Sequence, residues 1–135
     1  MEKLIAYTDG ASKGNPGKAS IGFVIQDTSG KVLKQCGMPI ENATCNVAEY
    51  MALITALIEG LKFGAEELEV RSDSLLLVRQ MQGSYKVKEE WLKKLHFIAR
   101  QLAGNYTRLT FVHISREKNK QADKLANSNI ENTLL

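Results

Sequence analysis

Lys3-Leu4-Ile5-Ala6-Tyr7-Thr8-Asp9 runs directly into Gly10-Ala11-Ser12-Lys13-Gly14-Asn15-Pro16-Gly17. The first half reads as a strand. The second, with three glycines and a proline, reads as a loop. The junction leaves a carboxylate, Asp9, at the carboxyl end of a strand, where open α/β sheets collect their reactive groups. Two further strands follow, Ser20 to Asp27 and Lys31 to Met38. Thr28-Ser29-Gly30 joins them with a length that suits a hairpin. The chain therefore opens with three antiparallel strands.

The period then changes from two to 3.6. Beyond Asn46, residues Val47, Tyr50, Met51, Ile54, Leu57, Ile58 and Leu61 keep the i, i+3, i+4, i+7 spacing of one helical face. Glu67 to Ser72 reads as a short strand and Leu75 to Met81 as a short helix, which Gln82-Gly83-Ser84-Tyr85 ends. A long helix follows with Trp91, Leu92, Leu95, Ile98 and Leu102 on one face and Gly104-Asn105 as its stop. Trp91 is assigned to the core through Leu95 and Ile98. Leu109 to Ile114 forms the last strand and Asn119 to Ser128 the last helix, with residues 129–135 as a fraying tail of a single domain spanning 1–135. This order implies an α/β fold with a five-stranded mixed sheet flanked by helices.

The chain has 135 residues, 44% hydrophobic and 24% charged, the composition of an ordinary globular domain with its own core. The apolar run Leu4 to Tyr7 is too short for a signal-peptide core or a membrane span, so a cytoplasmic location is expected, with no membrane partner. Cys36 and Cys45 are too few for a disulfide framework and are read as reduced structural thiols. A net charge of +3 permits a polyanionic partner without demanding one.

Four acids stand out. Asp9 has an alternative reading as a turn residue, Glu49 as the reciprocal member of a capping box with Asn46, Asp73 as a helix N-cap and Asp123 as a solvated helix-face residue. Their joint placement favours convergence. Asp9 and Asp73 end different strands, while Glu49 and Asp123 lie near helix starts. Converging carboxylates repel one another and raise each other's pKa, so such a cluster persists where divalent cations occupy it, and all-oxygen donors select Mg²⁺ or Mn²⁺. Two such ions about 4 Å apart activate a water and stabilise a leaving oxygen in phosphodiester displacement.

Tyr7 to Gly17 resembles the opening signature of type 1 ribonucleases H. Asn46-Val47-Ala48-Glu49-Tyr50, Arg71-Ser72-Asp73-Ser74 and Asn119-Lys120-Gln121-Ala122-Asp123-Lys124-Leu125-Ala126 resemble the family's second, third and fourth motifs, in its order. The resemblance implies a ribonuclease H-like fold and an endonuclease that cuts the RNA strand of an RNA–DNA hybrid, leaving a 5′-phosphate and a 3′-hydroxyl. It implies that Asp9, Glu49, Asp73 and Asp123 hold two Mg²⁺ or Mn²⁺ ions. By the same resemblance Gly10, Ala11, Ser12 and Asn15 approach ribose hydroxyls and phosphates, Thr44 holds a DNA-strand phosphate and Asn46 enters the minor groove. Asn46 is also the expected helix N-cap.

The chain departs from the family pattern in three places. Arg116 stands where bacterial members often carry a histidine; it supplies a cation near the scissile phosphate but no proton shuttle at neutral pH. Nearby His113 is read as structural. Only Gln82 to Glu90 occupies the place of the family's basic protrusion. Lys86, Lys88, Lys93 and Lys94 either compensate in part or form a solvated helix face, so a monomer with weak, salt-sensitive binding is expected unless a partner protein supplies extra grip. Cys45 replaces an asparagine that contacts the minor groove, and a thiol is a poor donor. A catalytically silent binding module and a related phosphodiesterase of the same fold are the competing readings.

Overall fold

The opening strand becomes the middle of the sheet, and the other elements are arranged about it. In the computed structural model, which describes residues 2–132, strand β1 (Lys3–Lys13) is followed by β2 (Gly17–Asp27), β3 (Val32–Ala43), helix α1 (Cys45–Lys62), β4 (Glu67–Ser72), α2 (Leu75–Met81), α3 (Glu90–Ala103), β5 (Arg108–His113), a 3₁₀ turn (Arg116–Asn119) and α4 (Lys120–Asn132). The sheet order is β3-β2-β1-β4-β5. The first three strands pair antiparallel, and β4 and β5 are added parallel to β1. This is the expected five-stranded mixed sheet.

Two glycines fix how the helices lie on it. A Cβ at Gly10 would collide with the backbone of Ala48 and Glu49 in α1, and one at Gly22 would collide with the backbone of Ala122 in α4. Gly22 faces Asp9 in the β1–β2 register, and side chains alternate along a strand, so Gly10 and Gly22 present opposite faces. Helix α1 therefore covers one face and α4 the other. The core lies on the α1 side, where Leu4, Ala6, Phe23, Ile25, Leu68 and Val70 of the sheet meet Leu53, Leu57, Leu92 and Leu95 of the helices. The buried Tyr106 hydroxyl donates to the Leu57 carbonyl at 2.6 Å, so its polar end is satisfied inside that core.

Several expectations change. Gly10 to Lys13 is strand rather than loop, because each residue pairs with Lys18 to Ile21 on β2. The turn shrinks to residues 14–16, where Gly14 (φ 113°) and Asn15 (φ 38°) supply the positive φ values it needs. Helix α1 is capped by Thr44, whose hydroxyl accepts from the Val47 N–H at 3.2 Å, so Asn46 is not the N-cap. Trp91 is 54% exposed. The stripe that α3 buries is Leu92, Leu95 and Ala99, which keeps Leu92 and Leu95 of the expected face and turns Trp91 and Ile98 outward. Helix α4 runs on to Asn132 instead of ending at Ser128; the remainder of the expected tail, 133–135, lies outside the described residues.

Candidate active site

β1 and β4 stop pairing at Thr8 and Ser72. Beyond that point β1 continues with only β2 beside it, so a notch opens in the sheet just where Asp9 stands. The end of β4 delivers Asp73 to the notch. Groups from either face of the sheet can enter it, Glu49 from α1 on one side and Asp123 from α4 on the other. Ligand atoms of Asp9, Glu49 and Asp73 all lie within 4.8 Å of one another. Asp123 lines the same cleft of about 370 Å³ together with Gly10, Ala11, Ser12, Cys45, Arg116 and Asn127.

The local structure explains how each acid reaches the notch. Glu49 belongs to no capping box: its Oε1 accepts the Gly10 N–H at 2.9 Å, tying the helix to the strand that carries Asp9. Asp73 does not cap α2, since Ser74 does, its hydroxyl accepting from the Leu77 N–H at 3.2 Å. That leaves the Asp73 carboxylate available to the notch. Asp9 is 5% exposed and Glu49 7%. Burial, then the charges of Glu49 and Asp73, push the Asp9 carboxyl up to about 10. Burial also raises Glu49, to about 7, against the lowering effect of the Gly10 N–H and the Asp9 hydrogen bond. The two shifts share a direction and a cause: buried carboxylates side by side favour holding a proton between them.

The remaining expected site residues fall into three groups. Gly10, Ala11 and Ser12 line the cleft, and Arg116 stands exposed on its rim. Ser12 and Asn15 clamp the hairpin to the start of α1: the Ser12 hydroxyl donates to the Ala43 carbonyl at 2.6 Å and the Asn15 Oδ1 accepts the Cys45 N–H at 2.9 Å. Thr44 and Asn46 flank Cys45 but are not among the residues that line the cleft. Cys45 itself lines it, and both cysteines are free. His113 is exposed at the end of β5 and is likewise absent from the cleft lining. Sequence reasoning missed Asn127, whose Nδ2 donates to the Asp123 carboxylate at 3.0 Å; its i+4 spacing from an acid on a helix was the available signal.

The crystal structure of LC11-RNase H1 in complex with an RNA/DNA hybrid superposes on this chain with a TM-score of 0.93 and 47% identity, covering 98% of this chain and 99% of that one. Ribonuclease HI of Halobacterium salinarum is 38% identical over 129 residues, 96% of this chain. Residues 7–129 match a family model described as reverse transcriptase-like. The chain belongs to the type 1 ribonuclease H family. The bifunctional protein Rv2228c of Mycobacterium tuberculosis is 42% identical over 126 residues. The chain spans 65% of the Halobacterium protein's length and 35% of the Mycobacterium protein's. Within its family it is of the short form: residues 82–89 join α2 to α3 directly, with no helix or strand between them. Lys86 and Lys88 in that link, and Lys93 and Lys94 at the start of α3, are solvent-exposed. No helix among the described residues is long and apolar enough to cross a membrane.

Proposed function

We propose that this chain is a metal-dependent endoribonuclease that hydrolyses the RNA strand of RNA–DNA hybrids, leaving 5′-phosphate and 3′-hydroxyl ends. The observation that carries the reading is the convergence of Asp9, Glu49 and Asp73 ligand atoms within 4.8 Å, in a chain 47% identical to a ribonuclease H1 crystallised with an RNA/DNA hybrid.

The donor set fits a pair of hard divalent cations. Every acidic group at the notch offers oxygen, and the buried Glu49 Oε2 has no hydrogen-bond partner within the protein, an arrangement that costs stability unless a cation answers it. Asp9, Glu49, Asp73 and Asp123 would hold Mg²⁺ or Mn²⁺, and loss of the Asp9 proton would accompany binding. When bound, the ions supply an activated water and charge stabilisation for in-line phosphodiester displacement. The chain does the rest. Asp9, held by the Gly10–Glu49 hydrogen bond on one side and by the β2 ladder on the other, fixes the reacting phosphate's position relative to the sheet. Arg116 offers a permanent cation at the cleft rim for a non-bridging phosphate oxygen; it cannot transfer a proton at neutral pH.

Gly10 to Ser12 present backbone to the cleft, where close approach to ribose 2′-hydroxyls distinguishes RNA from DNA. Asn15, Thr44 and Asn46 extend that contact surface along the hairpin turn and the start of α1. The protein works as a monomer on the hybrid in the cytoplasm, and a partner protein or domain adds the grip that the short 82–89 link does not provide.

The test compares the protein with Asp9→Asn on a labelled hybrid in Mg²⁺ and in Mn²⁺. Cleavage by the wild type that falls at least about a thousandfold in the variant is the expected outcome, because the substitution removes a charge while nearly keeping the shape. Hybrid binding without cleavage by either protein would favour a binding module instead, and cleavage of duplex or branched DNA in preference to hybrid a different phosphodiesterase.

A further inference from the structure

Asn119 takes no part in the chemistry described above, yet it is 1% exposed and spans the two halves of the site. It is the last residue of the 3₁₀ turn, next to the first residue of α4. Its Nδ2 donates to the Thr8 carbonyl at 2.9 Å, across 111 residues of sequence. Thr8 immediately precedes Asp9, and Asp123 follows Asn119 by one helical turn. One side-chain amide therefore joins the backbone that carries the first carboxylate to the helix that carries the fourth.

The bond matters because α4 meets β2 at Gly22 chiefly through small residues. Helix α4 approaches β2 at Gly22, backbone against backbone, with Ala122 and Ala126 fully buried at the contact. Small residues fix how far a helix stands from a sheet but offer few ridges to oppose sliding along its axis. A hydrogen bond has direction as well as length. It also answers a carbonyl stranded at the strand end, since Thr8 is the last β1 residue paired with β4. Its loss would leave a buried acceptor bare.

We infer that Asn119 is a positioning residue that sets the axial register of α4, and with it the distance of Asp123 from Asp9. The inference rests on the nuclease reading for its kinetic consequence but not for its effect on ion binding.

Asn119→Leu keeps approximate volume and removes the donor, and Asn119→Ala removes both. Ile25→Val, in the core on the opposite face of the sheet, serves as a control that lowers stability without touching the α4 contact. Three quantities are measured below the unfolding transition: the melting temperature, Mn²⁺ binding by calorimetry on the protein without nucleic acid, and kcat and KM on a hybrid. Both Asn119 variants are expected to lose at least tenfold in kcat with KM within threefold, and to bind Mn²⁺ at least threefold more weakly. The control should leave both unchanged. Asn119→Ser, whose shorter arm places its hydroxyl out of reach of the Thr8 carbonyl, is measured if neither variant folds, and the same Mn²⁺ criterion decides. Unchanged Mn²⁺ affinity in the Asn119 variants, or losses equal to those of Ile25→Val at the same drop in melting temperature, would overturn the inference. If wild-type protein binds Mn²⁺ but cuts nothing, a weakened ion affinity in the variants still upholds the positioning role while the nuclease reading falls.

Discussion

Burial beside Glu49 and Asp73 favours the protonated form of the Asp9 carboxyl more in the fold than in the unfolded chain. That carboxyl stands at about 10 in the fold, against an ordinary value of 3.8. Between those two values the folded state binds more protons than the unfolded state, so stability of the ion-free protein falls as pH rises through that window. The melting temperature in chelator should therefore decline from about pH 5 to about pH 9, and Asp9→Asn should flatten the decline and melt above wild type at the alkaline end. A flat wild-type profile, or an equal slope in the variant, would contradict the shared proton. The same residues show where a sequence stops being informative. Glu49 sits three residues after Asn46, a spacing that a capping box and a site acid both satisfy; only the placement of the cap at Thr44 and the Gly10 N–H on its carboxylate separate the two. Asn127 was invisible for a similar reason, since an exposed helical asparagine carries no signal until its neighbour is known to matter.

The short elements were legible where local chemistry alone decides them. Strand β4 and helix α2 occupy the spans expected from period and punctuation, Glu67–Ser72 and Leu75–Met81. The expectation failed where distant partners decide. Gly10 to Lys13 carry turn-forming residues, but the β2 ladder continues along them, and Gly10 is glycine because helix α1 presses against it. For α3, Leu92 and Leu95 belong both to the stripe continued by Trp91 and Ile98 and to the one continued by Ala99, and the choice between them depends on where α1 and the sheet lie. Gly10→Ala tests this account of β1. The added methyl must push α1 away from the strand and drag Glu49 with it, costing about 1–3 kcal/mol and at least about tenfold in cleavage rate, since small misplacements of reacting groups are expensive. Urea denaturation and single-turnover cleavage would measure the two effects. Wild-type values for both would mean that the helix does not rest on this glycine.

At the scale of the molecule, the fold supplies the notch and little beyond it to hold a long polyanion. Between α2 and α3 there is only the 82–89 link with its exposed Lys86 and Lys88. Binding through about two to four such cations would release few counterions, giving a modest affinity with a salt dependence shallower than that of a full set of phosphate contacts. Raising salt from about 50 to about 200 mM should raise KM for the hybrid about ten- to hundredfold with kcat nearly constant. A KM insensitive to salt would indicate contacts other than phosphate pairing.

The site draws on the two ends of the described chain: Asp9 stands on the first strand and Asp123 on the last helix. A ribosome makes the chain in that order. While residues 119–132 are still being made or lie within the ribosome, the nascent protein already has Asp9, Glu49 and Asp73 but lacks the fourth acid and the amide that fixes its place. On the proposed reading, hydrolytic competence is thus deferred until translation of this segment is finished, and a chain cut short before it would carry all five strands of the sheet and an incomplete set of acids.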